Sequence, residues 1–242
     1  ARSNPLSSKS LPDIAIVSGA RTPMAEWIGG KRGDGLSGGA LASVSAIDLG
    51  AVAARAAVER SGVPATEFDH IVMGNALQTS GDALYGARHV GLKAGLPEPC
   101  PALTVNRLCG SGLQSVVSAA QMLQLGEARW VVAGGMESMS QAPHVARGLR
   151  SGLRLGQQPA LEDSLFVALK DTLCNLFMAQ TSDNLAKKYG ITREAQDLFA
   201  LRSHERANTA NNNGRFAEEI VAVEVKLGKK SAVVEKDDHL FP

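Results

Sequence analysis

The chain has 242 residues, a mass of 25.3 kDa and a formal net charge of +1, with 44% hydrophobic and 20% charged residues. This balance is typical of a globular protein with one large or two small domains, and it excludes a chain that is disordered throughout. A net charge this small creates no overall electrostatic field that would attract nucleic acid or an anionic membrane. The sequence also has no uncharged apolar run long enough to span a bilayer. We therefore expect neither nucleic acid nor a membrane as a partner.

Three cysteines, Cys100, Cys109 and Cys174, cannot all pair within the chain, and none belongs to a Cys-x-x-Cys motif. Neither a disulfide scaffold nor a metal site is expected, and a reducing compartment, the cytoplasm, is the predicted location. Residues 1–13 lack the apolar stretch of a secretory signal. We predict that they form a flexible tail, with a transit-peptide remnant as the alternative.

Short apolar runs recur along the first half of the chain and predict buried strands. Helical patterns lie between them; the first is rich in alanine, begins at Ser45 and Asp48 and ends before Gly62. Strands that alternate with helices predict a three-layer α/β fold with a mostly parallel sheet. Residues 29–39 hold six glycines in eleven positions and predict a loop. The predicted strands are residues 14–17, 71–73, 103–105 and 130–133, and the predicted helices are 45–60, 85–94 and 112–125.

The pattern changes after Gly135. Residues 136–180 show little periodicity apart from a short helical pattern at 162–170. Further on, residues 181–189 and 192–212 predict helices, and 220–225 alternate as a strand. This stretch is typical of a long insertion, or a lid, on the α/β domain. No further strand or helix pattern follows this stretch to complete the fold, so we expect that the chain is cut from a longer one.

The most informative segment is residues 104–113, Thr-Val-Asn-Arg-Leu-Cys-Gly-Ser-Gly-Leu. A β-rich run precedes Cys109, two glycines after it permit a tight turn, and a helix of small residues follows. Cys109 is therefore expected at a strand-to-helix corner. Unpaired N–H groups and the helix dipole there stabilise a thiolate, the nucleophile of acyl transfer. From these residues alone, an inert buried cysteine is an equal alternative, and glycine-rich turns also bind phosphate. Cys100 and Cys174 lack this context and are predicted to be inert.

A second motif, residues 133–144, follows the strand at Trp130 and reads Ala-Gly-Gly-Met-Glu-Ser-Met-Ser-Gln-Ala-Pro-His. Small residues at the carboxyl end of a strand favour the approach of a ligand, although a tight turn in a packed interface explains them as well. The sequence contains no dinucleotide, P-loop or zincin motif, and its five histidines are scattered. None of the histidines is predicted to be a catalytic base.

Several sequence blocks, in the same order, resemble the thiolase family over about residues 14–242. So many blocks in one order favour Cys109 as a nucleophile over an inert cysteine. The blocks are Val17-Ser-Gly-Ala-Arg-Thr-Pro23, Met73-Gly-Asn75, Ala87-Arg88, Asn106-Arg-Leu-Cys-Gly-Ser-Gly112, Gly134-Gly-Met-Glu-Ser-Met-Ser140, and Asn184-Leu-Ala-Lys-Lys-Tyr-Gly190 continuing into Ala200-Leu-Arg-Ser203.

The resemblance implies a fold of two similar α/β halves, with a loop domain inserted in the first half that holds coenzyme A. It implies cleavage of a 3-ketoacyl-CoA by CoA, or the reverse condensation. In both directions Cys109 carries the acyl group, and the backbone N–H of Cys109 helps to form an oxyanion hole. Leu169 and Met178 fall near positions that line the pantetheine, and Lys229 and Lys230 near the nucleotide end. A solvated charge pair explains the lysines equally well. CoA is thus expected as a substrate, and no cofactor as permanently bound.

The sequence departs from the family in two ways. Phe177-Met178-Ala179 stand where acetoacetyl-type members have His-Met-Gly, and residues 161–165 are more similar to degradative mitochondrial-type 3-ketoacyl-CoA thiolases. The family's Gly-His-Pro histidine, Cys-x-Gly-Gly cysteine and Asn-Glu-x-Phe asparagine do not occur, and His239 does not replace them. We therefore predict that activity needs a C-terminal half and that this chain alone is nearly inactive. An acetoacetyl-CoA thiolase, a ketoacyl synthase and a non-catalytic acyl-CoA-binding module are the alternatives.

The resemblance divides the chain into a tail (1–13), an α/β core (14–135), an inserted CoA-binding loop domain (136–230) and the start of a return to the core (231–242). The implied partners are CoA, acyl-CoA, the C-terminal half in the same or another chain, and further copies in a dimer or tetramer. The helix after Cys109 is apolar nearly all round, so one side is expected to need a covering surface. The mitochondrial matrix and the peroxisome are alternative locations.

Overall fold

The computed structural model describes residues 13–26, 39–227 and 230–238. Most of the predicted tail and glycine loop, Lys229 and His239 lie outside these residues. The helices are α1 (Ala46–Ser61), α2 (Gly86–Ala94), α3 (Ser111–Leu125), α4 (Ser164–Ala168), α5 (Met178–Tyr189) and α6 (Arg193–Asn212). The strands are β1 (His70–Gly74), β2 (Ala102–Val105), β3 (Val131–Gly135), β4 (His144–Val145), β5 (Glu162–Asp163), β6 (Lys170–Asp171), β7 (Leu176–Phe177), β8 (Val223–Leu227) and β9 (Lys230–Val234).

A parallel sheet with the order β2-β1-β3 forms the centre of the described core. Ile71 in β1 lies opposite Ala102 of β2 and Val132 of β3. The crossover through α2 steps from β1 to β2, and the crossover through α3 steps back past β1 to β3. Because such crossovers are right-handed, α2 and α3 lie on opposite faces of the sheet. The predicted three-layer α/β fold is confirmed.

The face of the sheet under α1 and α2 carries the larger apolar core. Side chains of Ile47, Ile71 and Val90 are almost completely buried there. The ends of α1 follow the predicted signals: Ser45 Oγ accepts the N–H of Asp48 at 3.0 Å, and Gly62 adopts the left-handed conformation with a φ of 70°. Both signals fix the length of the helix that covers this face.

Helix α3 covers the opposite face with a narrower apolar contact. Its buried residues are the small Ser111, Ser115 and Ala119, whereas Leu113 and Leu125 are exposed. The exposed side agrees with the expectation that a further surface covers this helix.

The predicted strand at residues 14–17 is wrong. The segment forms no ladder, and Ile16 is 83% exposed. A cavity of about 830 Å³, lined by residues 13–18 and by β3, separates the segment from that strand. Strand structure needs a hydrogen-bonded neighbour, and the gap leaves the segment without one. Its contact with the core includes a 2.8 Å hydrogen bond from Ser18 Oγ to the carbonyl of Ala57.

Residues 136–230, which the sequence predicts to be an insertion and which are called the insertion below, contain short two-stranded sheets, β4-β5 and β6-β7, that the sequence did not predict. The predicted helix at 162–170 is only α4, because β5 precedes it and β6 follows it. Helices α5 and α6 agree with the prediction. The predicted strand at 220–225 is β8, which pairs with β9 across the proposed boundary at residue 230. The division into domains stays a prediction. Among the described helices, none is long and apolar enough to cross a membrane.

Candidate active site

Cys109 lies between β2 and α3, at the strand-to-helix corner that the sequence predicts, and its residue is exposed. Helix α3 begins two residues later, with Gly110 as its N-cap. The corner therefore places an accessible thiol beside the first turn of a 15-residue helix, where N–H groups and the helix dipole favour negative charge.

Side chains on both sides of Cys109 fix this corner. Ser111 Oγ accepts the N–H of Arg107 at 2.9 Å and donates to the carbonyl of Leu108. Asn106 Oδ1 accepts the N–H of Leu108 at 3.0 Å. Leu108 itself has a φ of 51°, which a branched side chain adopts only when its surroundings hold it. The turn before Cys109 is thus strained and held by neighbouring side chains.

Glycines at the carboxyl ends of β1 and β3 allow α3 to start directly above the sheet. A Cβ on Gly74 would lie 2.4 Å from the carbonyl carbon of Ser111, and one on Gly135 would lie 3.2 Å from the Cα of Gly112. For the small residues after the Trp130 strand, among them Gly135, the sequence left ligand approach and a tight packed turn as alternatives. The structure shows that Gly74 and Gly135 serve close packing of the helix on the sheet.

A cavity of about 850 Å³ opens beside Cys109. Leu165, Leu169 and Met178 of the insertion contribute to its wall, so the structure brings Leu169 and Met178 into one cavity with Cys109. Their contact with the pantetheine stays a prediction. Lys229 lies outside the described residues, and Lys230 begins β9. No histidine in the described part of the chain lines this cavity.

The β6-β7 sheet explains why Leu169 and Met178 meet although they are nine positions apart. Lys170 pairs with Phe177, and the N–H of Met178 donates to the carbonyl of Leu169 at 3.2 Å. The rings of Phe166 and Phe177 are tilted, with centroids 4.7 Å apart. This apolar wall therefore rests on a local hairpin and a ring contact.

Arg21, in the wall of the cavity, forms ion pairs with two carboxylates. Its guanidinium donates to both oxygens of Asp237, at 2.8 and 2.9 Å, and to Glu219 at 3.1 Å. The bidentate bond from Arg21 holds the pKa of Asp237 below its ordinary value, and the hydrogen bond to Asp237 raises the pKa of Arg21. The network joins the first described segment to Glu219 in the insertion and to Asp237 beyond it, and Arg21 is therefore not a free anion-binding group.

Glu137 in the second motif contributes to the site, although the sequence did not predict a role for it. Its carboxylate accepts N–H groups from the side chain of Asn75 at 2.9 Å and from the backbones of Ala76 and Leu77 at 3.0 Å. No local pattern in the sequence signals these contacts, because the backbone donors belong to another loop, the one that follows β1. Within the described residues, no group of three or more His, Cys, Asp or Glu side chains is arranged to hold a metal.

The arrangement defines an α/β protein with an exposed cysteine at the carboxyl edge of a parallel sheet, facing an apolar cavity. The chain belongs to the thiolase family: the family model described as "Thiolase, N-terminal domain" matches residues 14–242.

Curated relatives and solved structures agree with this family. The chain is 44% identical to the human mitochondrial 3-ketoacyl-CoA thiolase over 232 residues, which are 96% of this chain and 56% of that protein. It is 42% identical to the acetyl-CoA acetyltransferase of Cupriavidus necator over 228 residues, which are 94% of this chain and 55% of that protein. The crystal structure of the human mitochondrial thiolase in complex with CoA is 45% identical, with a TM-score of 0.82 over 92% of this chain and 53% of that one. The chain thus spans about half the length of the relatives it matches.

Proposed function

We propose that this chain supplies the nucleophile-bearing part of a thiolase that cleaves a 3-ketoacyl-CoA with CoA, giving acetyl-CoA and a shortened acyl-CoA. The observation that carries the proposal is the exposed Cys109 before α3, in one cavity with Leu169 and Met178. Cys109 precedes the first turn of α3, and an apolar wall suits the pantetheine and acyl chain of the substrate.

In the proposed reaction, the Cys109 thiolate attacks the C3 carbonyl of the 3-ketoacyl-CoA. The C2–C3 bond then breaks, the acyl group stays on sulfur, and the departing acetyl-CoA carbanion takes a proton. The thiolate of a second CoA attacks the acyl-cysteine and releases the shortened acyl-CoA, which restores the cysteine. The N–H of Cys109 is proposed to help stabilise the negative oxygen of the tetrahedral states.

The proton transfers are assigned to a C-terminal half, in the same or another chain. No histidine of the described residues reaches the cavity, and the sequence lacks the family's later acid and base motifs. Each such transfer contributes typically ~10²–10⁴-fold to the rate, so this chain alone is proposed to be nearly inactive.

The insertion is proposed to bind CoA. Leu169 and Met178 would contact the pantetheine, and Lys229 and Lys230 the 3′-phosphate. The solved CoA complex of the human mitochondrial thiolase supports CoA as the ligand. Assembly as a dimer or tetramer is part of the same proposal. The predicted cytoplasmic location stays a prediction, whereas the mitochondrial thiolases among the relatives support the mitochondrial alternative.

An acetoacetyl-CoA thiolase is the second candidate, because the acetyl-CoA acetyltransferase of Cupriavidus necator is nearly as similar. Phe177, which packs on Phe166 where acetoacetyl-type members are expected to have histidine, favours the degradative type. Rates with acetoacetyl-CoA and with longer 3-ketoacyl-CoAs, measured on the polypeptide that contains both halves, separate the two.

Acyl mapping tests the proposal. The same polypeptide is mixed with a 3-ketoacyl-CoA, quenched in acid, digested and analysed by mass spectrometry. We expect the acyl mass on the peptide with Cys109. It should be absent in Cys109→Ala and retained in Cys174→Ala, which removes another exposed thiol. An acyl-enzyme that still forms in Cys109→Ala would overturn the assignment, and binding of acyl-CoA without any acylation would favour the non-catalytic module.

A further inference from the structure

The carboxylate of Glu137 fastens the loop that follows β1. Its Oε1 accepts from Asn75 Nδ2 at 2.9 Å and from the N–H of Leu77 at 3.0 Å, and its Oε2 accepts from the N–H of Ala76 at 3.0 Å. Hydrogen bonds to an ionised acceptor are stronger than neutral ones, and three of them converge on one side chain. Residues 75–77 are therefore tied to Glu137, two positions after the end of β3.

The same loop contacts the corner that carries Cys109. Asn106 Nδ2 donates to the carbonyl of Ala76 at 3.2 Å, and Asn106 Oδ1 accepts the N–H of Leu108 at 3.0 Å. The N–H of Asn75 donates to the carbonyl of Val105 at 3.1 Å. An unbroken series of hydrogen bonds thus runs from Glu137, through residues 75–77 and Asn106, to the residue before Cys109.

The end of this series is the strained residue. Leu108 has a positive φ of 51°, and such a conformation persists only where the surroundings determine it. If Asn106 shifts, Leu108 loses its N–H contact, and the bonds from Ser111 to the Leu108 carbonyl are left to oppose a return to a negative φ. Because Leu108 and Cys109 are adjacent, that rotation would re-aim the Cys109 Cα–Cβ bond away from its place before α3.

We propose that Glu137 is a positioning residue for Cys109, acting through residues 75–77 and Asn106 to hold Leu108 in its strained conformation. The role rests on the proposed function, in which Cys109 attacks the substrate. A carboxylate is needed because the three donors approach two oxygens. A glutamine offers one acceptor oxygen, and its NH₂ would face a backbone N–H.

Hydrogen exchange on the full chain tests the coupling directly. Glu137→Gln retains two acceptor contacts, and Glu137→Ala retains none. Glu218→Gln is the matched control, because Glu218 is exposed and pairs only locally with Arg215. Exchange of the Ala76 amide should rise in both Glu137 variants, and exchange of the Leu77 amide should rise in Glu137→Ala. The peptide covering residues 106–110 should also exchange about tenfold faster, as expected for the loss of one hydrogen bond.

The reactivity of the cysteines distinguishes a displaced Cys109 from a protein that has lost its fold. Iodoacetamide labelling reports Cys100, which is buried, and Cys174, which is exposed, in the same sample as Cys109. In the polypeptide with both halves, acylation of Cys109 should slow by about 10- to 100-fold at saturating substrate, the range expected for a displacement near 1 Å. The KM should change little, and Glu137→Gln should lose less than Glu137→Ala.

Faster exchange at 106–110 together with slower acylation, and with Cys100 still unlabelled, supports the proposal. Residues 76 and 77 could exchange faster while exchange of residues 106–110 and the acylation rate stay unchanged. The contacts of Glu137 would then affect only the loop after β1, and the proposal would be overturned. If Cys100 becomes reactive in Glu137→Ala, that variant has lost its fold. The proposal is then tested with Glu137→Gln alone, by the same exchange and acylation criteria. Absent acylation in the unmodified protein would overturn the proposed function instead, and the exchange result would still decide the coupling.

Discussion

In the α/β core, α1 and α2 bury an apolar face against the central sheet, whereas α4, α5 and α6 of the insertion contain no buried residue. Leu198 of α6, for example, is 66% exposed, and Ile71 of β1 is 1% exposed. Burial of apolar surface drives the folding of the core, but α4, α5 and α6 depend on hairpins, helix caps and surface ion pairs. Strand β8 differs from these helices, because its Val223 and Val225 are almost completely buried. The reacting cysteine is thus proposed to sit on the well-packed region, and the wall of its cavity on the weakly packed one.

The largest expected effect separates Cys109 from the other exposed cysteine. In the polypeptide with both halves, Cys109→Ala should lower kcat by about 10⁴-fold or more, because removal of a covalent nucleophile leaves only binding and electrostatic contributions. Cys174→Ala should leave kcat unchanged, since Cys174 lies in the turn between β6 and β7. Steady-state kinetics with a 3-ketoacyl-CoA measure both. Equal losses in the two variants would contradict the assignment of the nucleophile.

The contrast in burial predicts the next largest effect. Ile71→Ala in the core should lower the free energy of unfolding by about 2–5 kcal/mol, the cost of a cavity in a packed interior. Leu198→Ala on α6 should stay within about 0.5 kcal/mol, as for other exposed substitutions. Urea unfolding of the 242-residue chain compares the two. A comparable loss in Leu198→Ala would show that another surface covers α6.

The same contrast explains how much the sequence could predict. The helices α1 to α3 and the strands β1 to β3 carry apolar periodicity and clear caps, such as Ser45 and Gly62, and were found. Residues 14–17 have the composition of a strand, but composition does not show whether a neighbouring strand is present to pair with them. The two-residue strands of the insertion are too short to show alternation. The contacts of Glu137 depend on backbone donors of another loop, which no local pattern reveals.

The ion pair between Arg21 and Asp237 should have an intermediate effect. Asp237→Asn should cost about 1–3 kcal/mol in the free energy of unfolding, because it weakens a partly buried, bidentate, charge-assisted contact. Asp197→Asn in the exposed pair with Arg193 is the matched control. Chemical unfolding at neutral pH measures both variants. A loss in Asp237→Asn no larger than that of the control would show that the network does not stabilise the chain.

This ion pair also has a predicted pH dependence. The folded state lowers the pKa of Asp237, so its contribution is complete above the unfolded pKa of about 3.9 and is lost as the pH falls through the folded value. The difference in stability between the unmodified chain and Asp237→Asn should therefore be constant from neutral pH to about pH 5 and shrink below pH 4. A difference that grows as the pH falls would have the wrong sign for this carboxylate.

The smallest expected effect lies on the surface of the insertion. Arg193 Nε contacts both oxygens of Asp197 one turn later in α6, at 2.8 and 2.9 Å, but both side chains are largely in solvent. Such pairs in helices contribute about 0.3–0.5 kcal/mol, because water screens the charges and ordering two side chains costs entropy. Asp197→Asn should therefore lower the stability by no more than this, and the difference should vanish in about 1 M salt, where the Debye length is about 3 Å. Urea unfolding at low and high salt measures it. A larger, salt-insensitive loss would mean that this turn of α6 is packed against another part of the protein, which would make the insertion more like the core than its exposure suggests.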